Sequence, residues 1–117
     1  RKRMEEHATI STDTAKRLSA YHEEVARALE MAVKSVLTED AELAGVVRNM
    51  KESVLEMSRY ISRSRFERMK SADSGIGRYV REVELLELLD GIFKTSRRIA
   101  RSQIEREVEA VVVEPAA

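Results

Sequence analysis

The sequence predicts an all-α protein: an up-down-up antiparallel three-helix bundle with long helices. Three observations predict it. Helix breakers are scarce, with four Gly and a single Pro in 117 residues, so long stretches are free to coil. Good helix formers dominate the rest: Ala, Leu, Glu, Arg, Lys and Met. Finally, apolar residues recur at helical spacing in three successive segments, with two short breaks between them.

The first helix is expected from about 11 to 37. Ser11, Thr12 and Asp13 offer N-cap side chains. Its apolar positions are Leu18, Tyr21, Val25, Leu29, Ala32 or Val33, and Val36. Thr38, Glu39 and Asp40 form a short break. Thr38 or Asp40 can cap the next helix, whose positive end suits the acids. The second helix carries Leu43, Val47, Met50, Val54, Met57 and Ile61, a heptad-type stripe, and ends near Met69. SADSGIG at 71–77 is the second turn, with Asp73 or Ser74 as cap.

The third helix is expected from about 78 to 107. Its stripe is Leu85, Leu89, Ile92, Ser96, Ile99 and Gln103, with Leu86, Phe93 and Ile104 beside it. Those last three fall off the main seam, so a second apolar face is expected, to be covered by another copy or another domain. The tail VEAVVVEPAA holds three consecutive valines, which favour extended structure. The organisation is a ragged segment at 1–10, a bundle at 11–107 and a tail at 108–117.

The stripes can be set against one another. Folding at 39–40 makes Val36 face Leu43, Leu29 face Met50 and Val25 face Val54. Folding at Asp73 makes Ile61 face Leu85, Met57 face Leu89 and Val47 face Ile99. Arg59, Arg63 and Arg65 then come level with Glu82, Glu84 and Glu87. Two short-loop hairpins with matched stripes imply the antiparallel bundle. Each helix of about 30 residues is roughly 45 Å long.

Composition excludes several function classes. Aromatics are 4% of the chain and there is no Trp or Cys. Ligand pockets lean on aromatic walls, and without Cys there are no disulfides, zinc–thiolate sites or thiol catalysis. Acids and bases balance at 21 each, so no global field draws the chain to nucleic acid or lipid. No apolar run approaches the roughly 20 residues that span a bilayer.

The candidate chemistry lies in charged clusters. Glu87 and Asp90 sit three apart on one helix face, and Glu52 and Glu56 four apart on another. Either pair is a candidate ligand set for a hard cation. Pairing with neighbouring arginines is the favoured reading. The Glu-x-x-His spacing of a di-iron bundle does not occur. His22 precedes Glu23, as the phospho-accepting His of a histidine-kinase dimerisation helix precedes an acid, but AYHEEVARAL lacks the Pro that usually follows. A seam or seam-edge His level with Met57 is favoured. Lys94, Arg97, Arg98 and Arg101 form a basic patch suited to phosphate or partner contact. Glu42 and Glu52 across the hairpin compete for it. SRYISRSRFERMK at 58–70 is Ser- and Arg-rich, without the aromatic interleaving that marks nucleic-acid binding. No Gly-rich phosphate loop, nucleophile elbow or zinc motif is present.

ALEMAVKSVLTEDAELAGVVRNMKESVLEM at 28–57 resembles the first helical hairpin of PhoU-like domains: a helix, a short acidic turn, then a helix with paired acids around a Val. RFERMKSADSGIGRYVREVELLELLDGIFKTSRRIARS at 65–102 looks like the closing helix of that domain. The arrangement is similar to the PhoU-like region at the cytoplasmic end of bacterial sodium/phosphate cotransporters, over most of residues 15 to 105. Family members bind metal clusters through E-x-x-x-D-type motifs. Aligned on Val54, those acids fall at Lys51 and Leu55, and on the third helix the family's acid and Asn fall near Lys94 and Arg98. The metal site is therefore not carried over.

The resemblance implies a non-enzymatic regulatory or interaction domain, with no cofactor and no catalytic residue. Its partner would be the membrane portion of a transporter, in the same or another chain, or a second copy. It would be cytoplasmic and tethered to the inner membrane by a preceding transmembrane region. Nucleic acid and direct membrane insertion are not expected. The alternative is a helical dimerisation or signalling module of histidine-kinase or chemoreceptor type.

Overall fold

The computed structural model describes residues 12–71 and 76–113, and every described element is an α-helix. They are α1 (Thr12–Leu37), α2 (Ala41–Asn49), α3 (Lys51–Ser71) and α4 (Ile76–Val113). The expected caps Ser11, Asp73 and Ser74 lie outside the described residues.

The first turn is built by local hydrogen bonding. Asp40 N–H donates to the Ser35 carbonyl at 2.8 Å, and Glu39 N–H to that of Val36 at 3.3 Å. This pair is a Schellman stop, which places its second-last residue in the left-handed region. Glu39 takes that position with φ 52, without being a glycine. Asp40 then caps α2, its carboxylate accepting from Leu43 N–H at 3.1 Å. A second carboxylate serves the same helix end from across the fold. Glu107 Oε1 accepts Ala41 N–H at 3.0 Å and Gln103 Nε2 at 3.2 Å. Two acids thus meet the orphan donors and positive dipole of α2.

The expected second helix is two helices. Met50 N–H donates back to the Val47 carbonyl at 3.1 Å, a tightened turn, and Met50's carbonyl then accepts Val54 N–H at 2.9 Å to restart the coil. The third arm also differs from expectation. α4 begins before Arg78 and continues past Glu107 through the valines to Val113. Those residues extend a helix that is already nucleated, and one added hydrogen bond per residue outweighs their β preference.

Cross-links fix the chain directions. Arg17 lies over the Tyr60 ring at 3.8 Å, while Tyr21 and Ser58 both bind Asp90. Going forward on α1 is going backward on α3, in the register that faces Val25 with Val54. Arg68 meets Glu82 and Ala41 meets Glu107, so α4 runs against α2 and α3.

The seam is periodic, and it keeps the expected Leu18, Tyr21, Val25, Val47, Met50, Val54, Ile61, Leu89, Ser96 and Gln103, but other members differ. On α1 the buried series is Thr14, Leu18, Tyr21, Val25, Ala28, Ala32 and Ser35. Val33 is 41% exposed, and Leu29 and Val36 are half-buried. On α2 and α3 it is Ala44, Val47, Met50, Val54, Ser58 and Ile61, with Leu43 and Met57 half-buried. On α4 it is Tyr79, Glu82, Leu86, Leu89, Phe93, Ser96, Ala100 and Gln103. Leu85, expected in the seam, is 39% exposed. Leu86 and Phe93, expected on a separate outer face, are core residues, and Ile104 packs against the core. The reason is that seam positions accept small and self-satisfied polar residues. Ala28, Ala32 and Ala100 have no exposed surface and let helices approach closely. Ser35 and Ser96 donate to carbonyls of their own helices, Ala32 at 2.7 Å and Ile92 at 2.9 Å. The expected stripes included Ala32, as an alternative to Val33, and Ser96, but passed over Ala28, Ser35 and Ala100.

The molecule is a rod of 74 × 24 × 18 Å with a radius of gyration of 19.1 Å. A compact chain of this length has a radius near ~13 Å. Its accessible surface is 8488 Å², against about 6,500 Å² for a compact monomer of this mass. No described helix is long and apolar enough to cross a membrane.

Candidate functional site

The acids of residues 82–90 have different fates. Glu82 is fully buried, and Arg68 holds it as a fork, Nη1 to Oε2 at 2.9 Å and Nη2 to Oε1 at 3.0 Å. The hydrogen bond to Glu82 raises the Arg68 guanidinium above its ordinary pKa, against partial burial. Tyr79 lies 5.7 Å from the same guanidinium, ring centroid to Cζ. The expected partners of Glu82, Glu84 and Glu87 were Arg59, Arg63 and Arg65. Rotating α4 to bury Leu86 turns Glu82 inward, and Arg68, the next arginine along α3, meets it. Glu84 and Glu87 face solvent.

Asp90 is half-buried where three helices meet. Its Oδ1 accepts the Tyr21 hydroxyl from α1 and the Ser58 hydroxyl from α3, the latter at 3.2 Å. Tyr21 is 1% exposed. Burial, then the bond to Asp90, pushes its phenol well above the ordinary value. Asp90's carboxylate is thus committed to two hydroxyls, while Glu87 is exposed. Glu52 and Glu56 are exposed as well. Among the described residues no group of three or more His, Cys, Asp or Glu could hold a metal ion.

The basic patch on α4 divides. Lys94, Arg98 and Arg101 are exposed and follow one stripe of the helix. Arg97 is half-buried, and its Nε is shut from solvent without a hydrogen-bond partner. Ion pairs from this patch to Glu42 or Glu52 do not occur among the described residues. His22 is exposed on α1, not on the seam; its neighbour Tyr21 takes the seam position.

A second basic region lies on α3. An open groove of about 760 Å³ is lined by Glu56, Arg59, Ser62, Arg63, Arg65 and Phe66, next to Ser58. Arg65 is half-buried, and its Nη1 is buried without a hydrogen-bond partner. Phe66 is 60% and Tyr60 43% exposed, the latter beneath Arg17. The signal for this region was the run SRYISRSRFERMK. Its arginines were assigned to the acids of the third helix, and the register of Arg68 with Glu82 frees them. Glu107 was missed because it stood at the expected end of a helix.

Comparison with protein-family models, curated proteins and solved structures finds no match to this chain.

Proposed function

We propose that this chain is a non-enzymatic helical interaction domain, an up-down-up bundle of PhoU-like kind that regulates a sodium/phosphate cotransporter from its cytoplasmic side. One observation carries the interaction reading. The rod exposes about 2,000 Å² more surface than a compact monomer of its mass (8488 Å² in all). Each partner gives about 800 Å² to a standard protein–protein interface, so the excess is ample for one. The stripe of Lys94, Arg98 and Arg101, unpaired among the described residues, supports docking to an acidic face of the membrane portion. Support for the phosphate-transport setting is the PhoU-like rhythm of 28–57 and 65–102, including the acidic turn at 38–40.

The test is sodium-driven phosphate uptake by the transporter's membrane portion, with and without this chain. Arg98→Glu with Arg101→Glu should abolish both binding and the change in uptake. If the double variant binds and regulates like the parent, the basic stripe is not the docking site.

A second reading is a dimerisation or signalling module, favoured by the exposure of His22 beside Glu23 on α1. It requires that His22 be labelled by a phosphodonor and that His22→Ala abolish the labelling.

A further inference from the structure

We infer that the α3 groove is a binding site for a multiply charged oxyanion, the phosphoryl groups of a di- or polyphosphate. It lies on a different helix from the α4 basic stripe and stands independently of the transport reading. Arg59, Arg63 and Arg65 line it against a single lining acid, Glu56. None of the three arginines has an ion pair or hydrogen bond with another described residue. Arg59 and Arg63 are one helical turn apart, so their stems rise side by side. Ser62 adds a hydroxyl donor from within the groove. Ser58 is spoken for by Asp90 at 3.2 Å and marks its inner limit.

Arg65 carries the inference furthest. A buried guanidinium nitrogen without an acceptor is unfavourable, and native structures rarely leave one so. Arg65 Nη1 is such an atom, and its residue lines the groove. Nη1 is shut from solvent where it stands, so an incoming oxygen reaches it only when the Arg65 side chain turns toward the groove, which leaves the backbone in place.

The donor set also selects the ligand. Arginine forks bind planar pairs of oxygens. Three forks offer more donors than one phosphate has oxygens to share, and suit the six terminal oxygens of a pyrophosphate group. The groove opens to solvent, so it also admits a larger molecule bearing that group. Phe66, 60% exposed at the rim, offers an apolar surface for its remainder.

The experiment is a titration of the full chain with pyrophosphate, followed by backbone amide shifts and calorimetry. Saturable binding with shifts centred on 58–66 is expected. Arg65→Gln should weaken it more than tenfold, and Arg59→Gln with Arg63→Gln at least as much. Those last two side chains are exposed, so the double variant serves if Arg65→Gln does not fold. Arg98→Gln with Arg101→Gln, which removes equal charge elsewhere, should leave binding within twofold. Absence of saturation overturns the proposal. So does an equal loss in the α4 variant, which would mark general counterion attraction. Capture by phosphatidylglycerol vesicles with no response to pyrophosphate would reassign the groove to a lipid headgroup and overturn it too.

Discussion

Arg68 grips Glu82 with both terminal nitrogens, at 2.9 and 3.0 Å, and the Glu82 side chain has no exposed surface. Removing one partner of such a pair strands the other charge. Glu82→Gln is expected to cost about 3 kcal/mol, the low end of the usual range, because Arg68 is 26% exposed. Replacing both, as Arg68→Met with Glu82→Leu, should recover most of that loss. Urea unfolding of the two variants checks it. Equal instability of the double variant would mean the site's packing, not its charge balance, sets the cost.

Tyr21 makes stability fall at alkaline pH. Its folded pKa is raised above the ordinary 10.0 by burial and by Asp90. Between those two values the unfolded chain has released the phenol proton and the folded chain has not. The stabilisation is therefore complete below about pH 10 and is lost as pH rises above it. Tyr21→Phe should flatten the fall in melting temperature between about pH 9.5 and 11. It should also lower stability at neutral pH by about 1 kcal/mol, through the lost hydrogen bond. An unchanged alkaline slope would assign the effect to another group.

Glu39 occupies a left-handed position, φ 52, in the stop between α1 and α2. A Cβ there costs roughly 1–2 kcal/mol. Glu39→Gly should raise stability by about 1 kcal/mol, about 4 °C in melting temperature. Thermal melts by circular dichroism would read it. A lower melting temperature would contradict the Schellman assignment.

The rotation of α4 separates two of its large apolar residues. Phe93 is 4% exposed and Leu85 39% exposed. Phe93→Ala is expected to cost about 3–5 kcal/mol and Leu85→Ala under about 1. The reverse order would restore the seam of Leu85, Leu89 and Ile92.

The all-helical class and the first hairpin were legible in the sequence, because both rest on local signals. Val25 and Val54 mark one face each, and Asp40 is a capping residue next to an apolar run. The second hairpin was less legible. Its true seam alternates apolar residues with Glu82, Ser96, Ala100 and Gln103. Ser96 and Gln103 were in the expected stripe, but hydrophobicity does not mark Glu82 or Ala100, and a rotation by part of a residue's turn moves Leu85 out and Leu86 in while Leu89 stays. That rotation gives Glu82 to Arg68 and leaves Glu84 and Glu87 facing solvent. The break at Met50 carries no Gly or Pro to announce it. Of the candidate sites, the basic stripe was legible as a run of arginines. The α3 groove was not, since it depends on which arginine Glu82 engages.

The central proposal is that this rod regulates phosphate transport by docking on a membrane partner. The most direct measurement is sodium-driven uptake of labelled phosphate into vesicles carrying the cotransporter's membrane portion, with this chain added in equimolar amount. The account predicts saturable binding and at least a twofold change in uptake, both lost with Arg98→Glu and Arg101→Glu. Identical uptake with and without the chain, at concentrations where it is shown to be bound, would contradict it.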